Sequence, residues 1–314
     1  MENQSNSPLV SICVLAYQHQ KYIQDCLEGL LSQTYQNMEL IIIDDASTDR
    51  TVDIINRYAP QLQKKFIRFE LICHKVNTGC VAKNINEGIQ LCNGEYIKEF
   101  AGDDIMLPDC IINSVRFLEN HPQYDLSYCN IYIIFDDWHM GDSYRKTFFK
   151  YHKPLPKDQM LFRLLHGGNY IPAPSVLRRK NTFTKYGFYN EDGVLEDYEY
   201  WLRIAGKASF GYLNEKLVLH RWAETSLTNV QYNKHKYINM YNWLVRAMNL
   251  HLKRLPVQDR MKCISRNYTS TRVGCKRYGY YDLFFILSIR LYKFKIKNTL
   301  AMIKRNLEAD RHKM

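Results

Sequence analysis

Short apolar runs alternate with helical patterns through the first half of the chain, and this alternation constrains the fold most. Leu9–Leu15 and Glu39–Ile43 are apolar runs, and Tyr22–Leu31 between them has the spacing of an amphipathic helix. A helical crossover of this length joins parallel strands. The pattern continues with helices near 51–59, 81–91, 109–119 and 158–165, and with strands near 68–73, 96–100 and 126–135. We therefore predict an α/β fold whose mostly parallel sheet is flanked by helices.

The composition excludes a disordered chain and a disulfide-stabilised one. The 314 residues are 46% hydrophobic and 24% charged, and the nine cysteines form no CxxC pair.

The longest apolar candidate for a membrane span, Leu283–Ile289, is far shorter than the roughly 18 residues required. Met1–Pro8 has neither a basic nor an apolar segment, so we expect no signal peptide. We predict a cytoplasmic protein, either soluble or peripheral at the inner face of the membrane.

Positive charge is concentrated at the C-terminal end. The formal net charge is +11, and residues 231–314 carry 19 Lys and Arg against 4 Asp and Glu. Strand patterns stop near Asn229, where basic helical patterns take over. We predict an α/β domain over residues 1–229 and a helical, basic region over residues 230–314.

The last helical pattern has an apolar face beside a basic one. The apolar face consists of Ile289, Tyr292, Ile296, Leu300 and Ile303, and the basic face of Arg290, Lys293, Lys297 and Lys304. This pattern fits packing onto the preceding domain, and it also fits a helix lying on anionic lipid. Nucleic acid is the least supported partner, since no zinc finger, RNP-like or helix-turn-helix pattern accompanies the charge.

Pairs of acidic residues follow two of the predicted strands, where ligands of parallel sheets bind. Asp44 and Asp45 can accept hydrogen bonds from the imide of a pyrimidine and from ribose hydroxyls. Helix capping by the segment 47–49 is the alternative.

Asp103 and Asp104 repel each other by about 1 kcal/mol or more, which a divalent cation relieves. The alternative here is a solvated acidic turn.

A third acidic pair, Glu196 and Asp197, stands at the start of a predicted helix. Carboxylates are favoured there by the helix dipole alone, so surface capping is an alternative to a catalytic role. Trp201 and Leu202 lie about one turn further on, which predicts that this helix packs tightly and holds its first turn in place.

Five motifs, taken together and in order, resemble family 2 glycosyltransferases of the GT-A fold: Leu9–Tyr17, Ile41–Thr51, Gly94–Ile97, Gly102–Pro108 and Leu195–Trp201. The resemblance extends over about Leu9–Leu227. It implies a Rossmann-like GT-A domain and an inverting transfer of sugar from a nucleotide sugar, of UDP type, to an acceptor hydroxyl. It also implies a bacterial surface glycan, such as capsule, O-antigen or lipopolysaccharide, and a cofactor of Mn²⁺ or Mg²⁺.

The resemblance also implies a role for each matching residue. Ala16, Tyr17, Asp44, Asp45, Asp103 and Arg221 would bind the nucleotide, with Asp45 or Asp44 on the uracil-type ring and Arg221 on the diphosphate. Asp104, together with Asp103, would bind the metal. Asp197 would be the general base, with Glu196 and Trp201 on the acceptor side. The segment Gly167–Ser175 would form an acceptor-side wall, although its glycines and prolines also fit a simple connection.

Two positions depart from the family pattern. Ala101 stands where many members have the first Asp of an Asp-x-Asp-Asp element. Many members also have Arg-x-His after the base, whereas this chain reads His220-Arg221-Trp222-Ala223. His220 is therefore either a strand-end histidine or a metal ligand.

Two other classes of function are compatible with parts of the sequence. An inactive GT-A-like protein could bind membranes or polyanions through its basic region, and it would show no nucleotide-sugar turnover. Nucleotidyl transfer would need a glycine-rich phosphate loop, and Val14–His19 contains no glycine. The predicted partners are thus a nucleotide-sugar donor, a glycan or lipid-linked glycan acceptor and an anionic membrane surface, without nucleic acid.

Overall fold

A computed structural model of the chain describes residues 7–136, 138, 156–193, 195–222 and 234–277. It contains eight strands: β1 Val10–Ala16, β2 Met38–Asp44, β3 Arg68–Cys73, β4 Tyr96–Ala101, β5 Ile105–Met106, β6 Leu126–Phe135, β7 Leu177–Arg179 and β8 Phe210–Trp222. The helices in this part of the chain are α1 Ile23–Leu31, α2 Thr51–Lys65, α3 Val81–Leu91, α4 Cys110–Asn120, α5 Lys157–Gly167, α6 Asn181–Tyr186, α7 Glu196–Ile204, α8 Lys234–Leu252 and α9 Val257–Arg277.

All eight strands form one sheet in the order β3-β2-β1-β4-β7-β6-β8-β5. The first four are parallel neighbours, as is the pair of β6 and β8. The short strand β7 runs antiparallel to both β4 and β6, and β5 runs antiparallel to β8. The prediction of an α/β fold with a mostly parallel sheet is confirmed. The carboxyl ends of β1, β2 and β4 lie along one edge, where the first two acidic pairs stand.

Burial explains why the apolar runs form the centre of this sheet. Every residue of β2 is buried, and β1 is buried at all positions except Leu15. The buried side of α1, with Ile23, Leu27 and Leu30, belongs to the same hydrophobic core as alternate residues of β1 and β2. A strand covered on both faces has no room for polar alternation, so its sequence is a continuous apolar run.

The sequence prediction lacks strands β5, β7 and β8 and helix α6, and it ends helix α2 too early. Strands β5 and β7 have only two and three residues, α6 has six, and the long strand β8 contains charged positions. Helix α2 extends beyond the predicted end at Ala59, through Pro60, to Lys65. Burial of Leu62 and Phe66 outweighs the one backbone hydrogen bond that a proline removes.

The chain divides into two compact units. One consists of Met1–Leu161 with Asn169–Ser226, and the other of Phe162–Gly168 with Leu227–Met314. Within the second unit, Nδ2 of Asn267 donates to the carbonyl oxygen of Leu165 at 2.8 Å. The domain boundary near residue 229 stays a prediction, and the apolar and basic faces between Phe285 and Lys304 lie outside the described residues. None of the described helices is long and apolar enough to cross a bilayer.

Candidate active site

The loops that follow β1 and β2 are joined through Gln18, whose backbone has a positive φ of 56°. Its Oε1 accepts hydrogen bonds from the backbone N–H groups of Thr48 and Asp49, at 3.3 and 3.1 Å. The backbone N–H of Asp45 donates to the carbonyl oxygen of Ala16 at 2.9 Å. These bonds fix the loop around Tyr17, which is 46% exposed. The ring of Tyr17 is thus accessible at the carboxyl end of β1, next to buried Ala16.

The two carboxylates after β2 have different surroundings. Asp44 is buried and accepts hydrogen bonds from the N–H and the hydroxyl of Ser47, at 2.8 and 2.5 Å. This carboxylate therefore holds the turn after β2. Ser47 and Thr48 do not cap the following helix, because α2 begins at Thr51 and its N-cap is Arg50, without a side-chain cap hydrogen bond. Asp45 instead reaches the loop after β3, where it accepts from the N–H and the hydroxyl of Thr78 at 2.8 and 3.0 Å. Of the two, Asp45 is the one that connects separate loops of the site.

His74 links Asp45 to a second carboxylate. Its Nδ1 lies 3.0 Å from Oδ1 of Asp45, and its Nε2 lies 3.0 Å from Oε2 of Glu87. The contact with Asp45 raises the pKa of His74; burial opposes this rise, and Glu87 adds to it. Burial would raise the pKa of Asp45, but hydrogen bonds from the Thr78 amide and from His74 hold it below its ordinary value. Both pKa shifts favour an ionised Asp45 carboxylate beside a protonated His74 imidazole.

The acidic pair after β4 is tied to β8. Asp104 is buried, and its Oδ1 lies 2.9 Å from Nδ1 of His220 and accepts the backbone N–H of Arg221 at 2.9 Å. Burial raises the pKa of Asp103, and the neighbouring Asp104 carboxylate raises it further, while the imidazoles of His19 and His220 lower it. Two carboxylates are thus held side by side with little water around them, a position in which added positive charge is favourable.

The guanidinium of Arg221 is buried beneath the acidic pair, where the side chain is only 1% exposed. It lies over the ring of Tyr22, with 4.6 Å from the guanidinium carbon to the ring centroid. Its nitrogens donate at 3.0 to 3.2 Å to the carbonyl oxygens of Asp103, Phe135 and Trp138 and to the carboxylate of Asp25. The diphosphate contact of Arg221 stays a prediction, and these bonds favour a role in holding the Asp103 backbone.

The third acidic pair lies in the first turn of α7. Oδ2 of Asp197 accepts a hydrogen bond from Nδ2 of Asn169 at 2.7 Å, and its Oδ1 accepts from the N–H of Tyr198 at 2.6 Å. Burial raises the pKa of Asp197, although these hydrogen bonds oppose the rise. Burial and the adjacent Asp197 carboxylate raise the pKa of Glu196 to about 8. Asn169 belongs to the Gly167–Ser175 segment, which therefore touches the predicted base.

His220 interacts with both acidic groups. Burial lowers its pKa, but Asp104, Asp103 and Asp197 attract the charged form and raise the pKa of the imidazole to about 9. The acidic pair and Asp197 come from distant parts of the sequence and are brought close enough to act on one imidazole.

Trp201 does not lie where the sequence prediction put it. The residue is fully buried, and its ring packs edge-on against Tyr200 and Phe210, with centroids 5.6 and 6.2 Å apart. A side chain without exposed surface cannot contact an acceptor. The acceptor-side assignment of Trp201 is therefore replaced by a packing role that holds α7 in place, which is the tight packing that its spacing also predicted.

Sequence reasoning missed three polar residues of the site, Gln18, His74 and Thr78, and included Asn169 only as part of the segment Gly167–Ser175. His74 directly follows β3, so the rule that directs attention to strand ends would have found it. Gln18 lies in a loop with no distinguishing pattern, and only the fold brings Gln18 and Asn169 to their partners.

The acidic pair fits a hard divalent cation. Within the described residues, no three His, Cys, Asp or Glu side chains form a cage that could hold a metal by themselves. Mg²⁺ and related ions usually bind through one or two carboxylates together with substrate phosphates and water. Asp103 and Asp104 supply such carboxylates, and their mutual repulsion at a buried position favours a cation there.

Comparison with known proteins identifies the family. Residues 11–182, more than half of the 314, match glycosyl transferase family 2, and the chain belongs to this family of glycosyltransferases. An uncharacterized glycosyltransferase of Haemophilus influenzae is 28% identical over 69% of this chain, and the match covers 66% of that relative's length.

Two solved structures have a similar fold. The first is TarS 1-349 of S. aureus in complex with UDP-GlcNAc, with a TM-score of 0.64, 17% identity and coverage of 85% of this chain and 74% of that one. The second is the mannosyltransferase PcManGT of Pyrobaculum calidifontis in complex with GDP-Man and Mn²⁺. Its TM-score is 0.53 at 13% identity, with coverage of 95% of this chain and 88% of that one. The GT-A fold implied by the sequence is thereby confirmed.

The contact of His74 with two carboxylates predicts a pH-dependent stability. A pKa raised in the folded state means that the stabilisation is complete below the ordinary value of about 6.5 and fades as the pH rises through the folded value. We expect His74→Gln to lower the melting temperature more at pH 6 than at pH 9. His121→Gln is the control, because Nδ1 of His121 contacts the Phe117 carbonyl oxygen at 2.7 Å and not a carboxylate. A His74→Gln deficit that is constant or grows with pH would contradict the assignment.

Proposed function

We propose that the protein is an inverting glycosyltransferase that moves a sugar from a UDP-sugar to an acceptor hydroxyl of a growing cell-surface glycan. One observation carries the proposal: Nδ1 of His220 lies 2.9 Å from the buried Asp104 carboxylate, and Asp103 and Asp197 are near enough to raise the pKa of the same imidazole. The acidic pair suits the diphosphate of a donor with its cation, and Asp197 suits an acceptor hydroxyl. Carboxylates whose pKa values are raised by burial and by one another are concentrated at catalytic sites, which favours an enzyme over an inactive binding protein.

Donor recognition is assigned to the strand-end loops of β1, β2 and β3. Tyr17 offers an exposed ring for the nucleobase, and Ala16 lies beneath it. We assign the imide N–H of uracil to the carboxylate of Asp45, which would exchange one of its present hydrogen bonds from Thr78, His74 and Asn84 for this one. The UDP-GlcNAc complex of the similar TarS structure supports a uridine donor.

The diphosphate end of the donor is assigned to Asp103 and Asp104. These residues would hold Mn²⁺ or Mg²⁺, and the Mn²⁺ complex of PcManGT supports this cofactor. A bound divalent cation supplies positive charge that stabilises the leaving diphosphate. The chain's own contribution is to fix the two carboxylates, through the bonds from β8 to Asp104 and from Arg221 to the Asp103 carbonyl.

The acceptor end is assigned to Asp197. Its carboxylate would take the proton of the acceptor hydroxyl as that oxygen attacks the anomeric carbon and the bond to the nucleoside diphosphate breaks. A single in-line displacement inverts the anomeric configuration. Asn169 donates to one oxygen of Asp197 and fixes its orientation, and burial raises its pKa and thus its basicity. Glu196, with a raised pKa, lies beside it as a second acceptor-side group.

Asp197→Asn tests the base assignment. A group that acts only in the transition state should affect turnover far more than donor binding, so we expect kcat to fall by about 10²-fold or more. The affinity for UDP with Mn²⁺ should stay near that of the wild type in calorimetry. Asp192→Asn, at an exposed loop position before α7, is the control and should keep full turnover. An active Asp197→Asn enzyme with only a small loss of stability would make Asp197 a helix-terminal charge.

Association with the inner face of the cytoplasmic membrane is a further part of the proposal. In the second unit, a short turn joins α8 to α9; Leu250 near the end of α8 is 70% exposed, and Val257 at the start of α9 is 45% exposed. Lys253 and Arg254 between them are also exposed. Apolar side chains beside cations suit an anionic lipid surface, where each cation contributes about 1 kcal/mol. A lipid-linked glycan acceptor would be presented at the same surface.

The double variant Leu250→Ser with Lys253→Glu tests this surface. We expect it to sediment with anionic vesicles less than the wild type does at low salt, because it loses one apolar contact and reverses one charge. Lys64→Glu, at an exposed position of α2 in the other unit, makes the same charge change as a control and should bind vesicles normally. Equal binding by all three proteins would remove this turn from the membrane contact.

A further inference from the structure

A buried arginine lies between the strand that leads to the acidic pair and the helix that carries Asp197. Arg178 is in β7, which pairs with β4 so that Arg178 stands opposite Ile97. Its side chain is 1% exposed, and it is among the largest fully buried side chains in the described part of the molecule. Such a position is unusual for arginine, so its contacts call for an explanation.

On one side, Arg178 contacts β4. Its Nη2 lies 2.7 Å from Oε2 of Glu99 and donates to the hydroxyl of Tyr189 at 2.5 Å. Glu99 lies in β4, four positions before Asp103. Burial raises the pKa of Glu99, and the guanidinium opposes this rise. The ion pair therefore connects β7 to the strand from which the acidic pair extends.

On the other side, Arg178 contacts α7. Its guanidinium carbon lies 4.9 Å from the ring centroid of Tyr200 and 5.0 Å from that of Trp201, which follow Asp197 by three and four positions. The rings of Phe183 and Tyr189 are at 4.9 and 5.3 Å. Nε and Nη1 of Arg178 are buried without a hydrogen-bond partner in the described residues. Attraction to the surrounding aromatic faces takes the place of those bonds.

We propose that Arg178 is a positioning residue, which sets the placement of Asp197 relative to Asp103 and Asp104. A buried ion pair adds little net stability, because desolvation of both charges offsets their attraction. Its geometry is nevertheless strict, since one guanidinium must meet one carboxylate and several ring faces together. An error of about 1 Å in the placement of a reacting group can cost about 10²-fold in rate. This inference rests on the proposed role of Asp197 as base.

The competing explanation is that Arg178 only stabilises the core. The ion pair of Arg68 with Glu39 provides a control, because Nη1 of Arg68 lies 3.0 Å from Oε2 of Glu39 and the two side chains are 29% and 2% exposed. These residues are at the starts of β3 and β2, the opposite edge of the sheet from the site. Loss of this pair should destabilise the fold without moving Asp197.

The test compares Arg178→Met, Arg178→Lys and Arg68→Met, all assayed well below their melting temperatures and per folded protein. We expect Arg178→Met to lower kcat by about 10-fold or more, while the donor KM and the affinity for UDP with Mn²⁺ change less than about 2-fold. Arg178→Lys should recover part of kcat, since it keeps the charge facing Glu99 but loses the planar group that stacks on the rings. Arg68→Met should lose stability and keep kcat.

Equal kcat values for Arg178→Met and Arg68→Met would overturn the proposal and leave Arg178 as a stabilising residue only. If Arg178→Met does not fold, Trp201→Leu removes one ring face and leaves the ion pair intact. It should lower kcat with donor affinity unchanged, and an unchanged kcat would overturn the proposal. A wild-type protein that turns over no nucleotide sugar would contradict the proposed function itself, and this inference with it.

Discussion

The site depends on the attachment of one buried carboxylate, that of Asp104, to strand β8. Oδ1 of Asp104 meets both the His220 imidazole and the backbone N–H of Arg221 at 2.9 Å. This contact joins the loop after β4 to β8 across 116 positions of the sequence. Because Arg221 also binds the Asp103 carbonyl, both members of the acidic pair are fixed by the same strand. Removal of these bonds would leave two like charges on an unsupported loop.

Around this attachment, the chain concentrates negative charge in a region from which water is largely excluded. Burial raises the pKa values of Asp103 and Asp197, and that of Glu196 rises to about 8. Cationic side chains within the sheet compensate for part of this charge, with Arg221 beneath the acidic pair and Arg178 behind α7. Both guanidiniums pack against aromatic rings. Every guanidinium nitrogen of Arg221 also donates a hydrogen bond, whereas Nε and Nη1 of Arg178 have none in the described residues and face the rings instead. The divalent cation and the general base of the proposed function would each need carboxylates in such a setting.

The sequence predicts the edge of the site well, because parallel strands bring their carboxyl ends together. The strand bounds of β3 and β6, the helix α3 and the acidic residues after β2 and β4 follow from local patterns. The roles of Trp201 and Arg221 do not follow from local patterns, because the sequence around a motif does not show whether an aromatic or charged side chain is buried. Asn169 reaches Asp197 only through the fold, and Arg178 lies in a three-residue strand that resembles a polar loop. Charged residues buried by long-range packing are the part that local sequence does not encode.

In the proposed function, Asp103 and Asp104 would hold a divalent cation that supplies positive charge to the donor diphosphate. Calorimetry of UDP binding in Mn²⁺ and in EDTA, on the wild type and on Asp103→Asn, tests this assignment. The wild type should bind UDP about 10-fold or more tightly in Mn²⁺, since a cation shared with the phosphates adds affinity of more than about 1.4 kcal/mol. Asp103→Asn should lose most of this gain and keep its affinity in EDTA. Equal wild-type affinities in Mn²⁺ and EDTA would contradict the account.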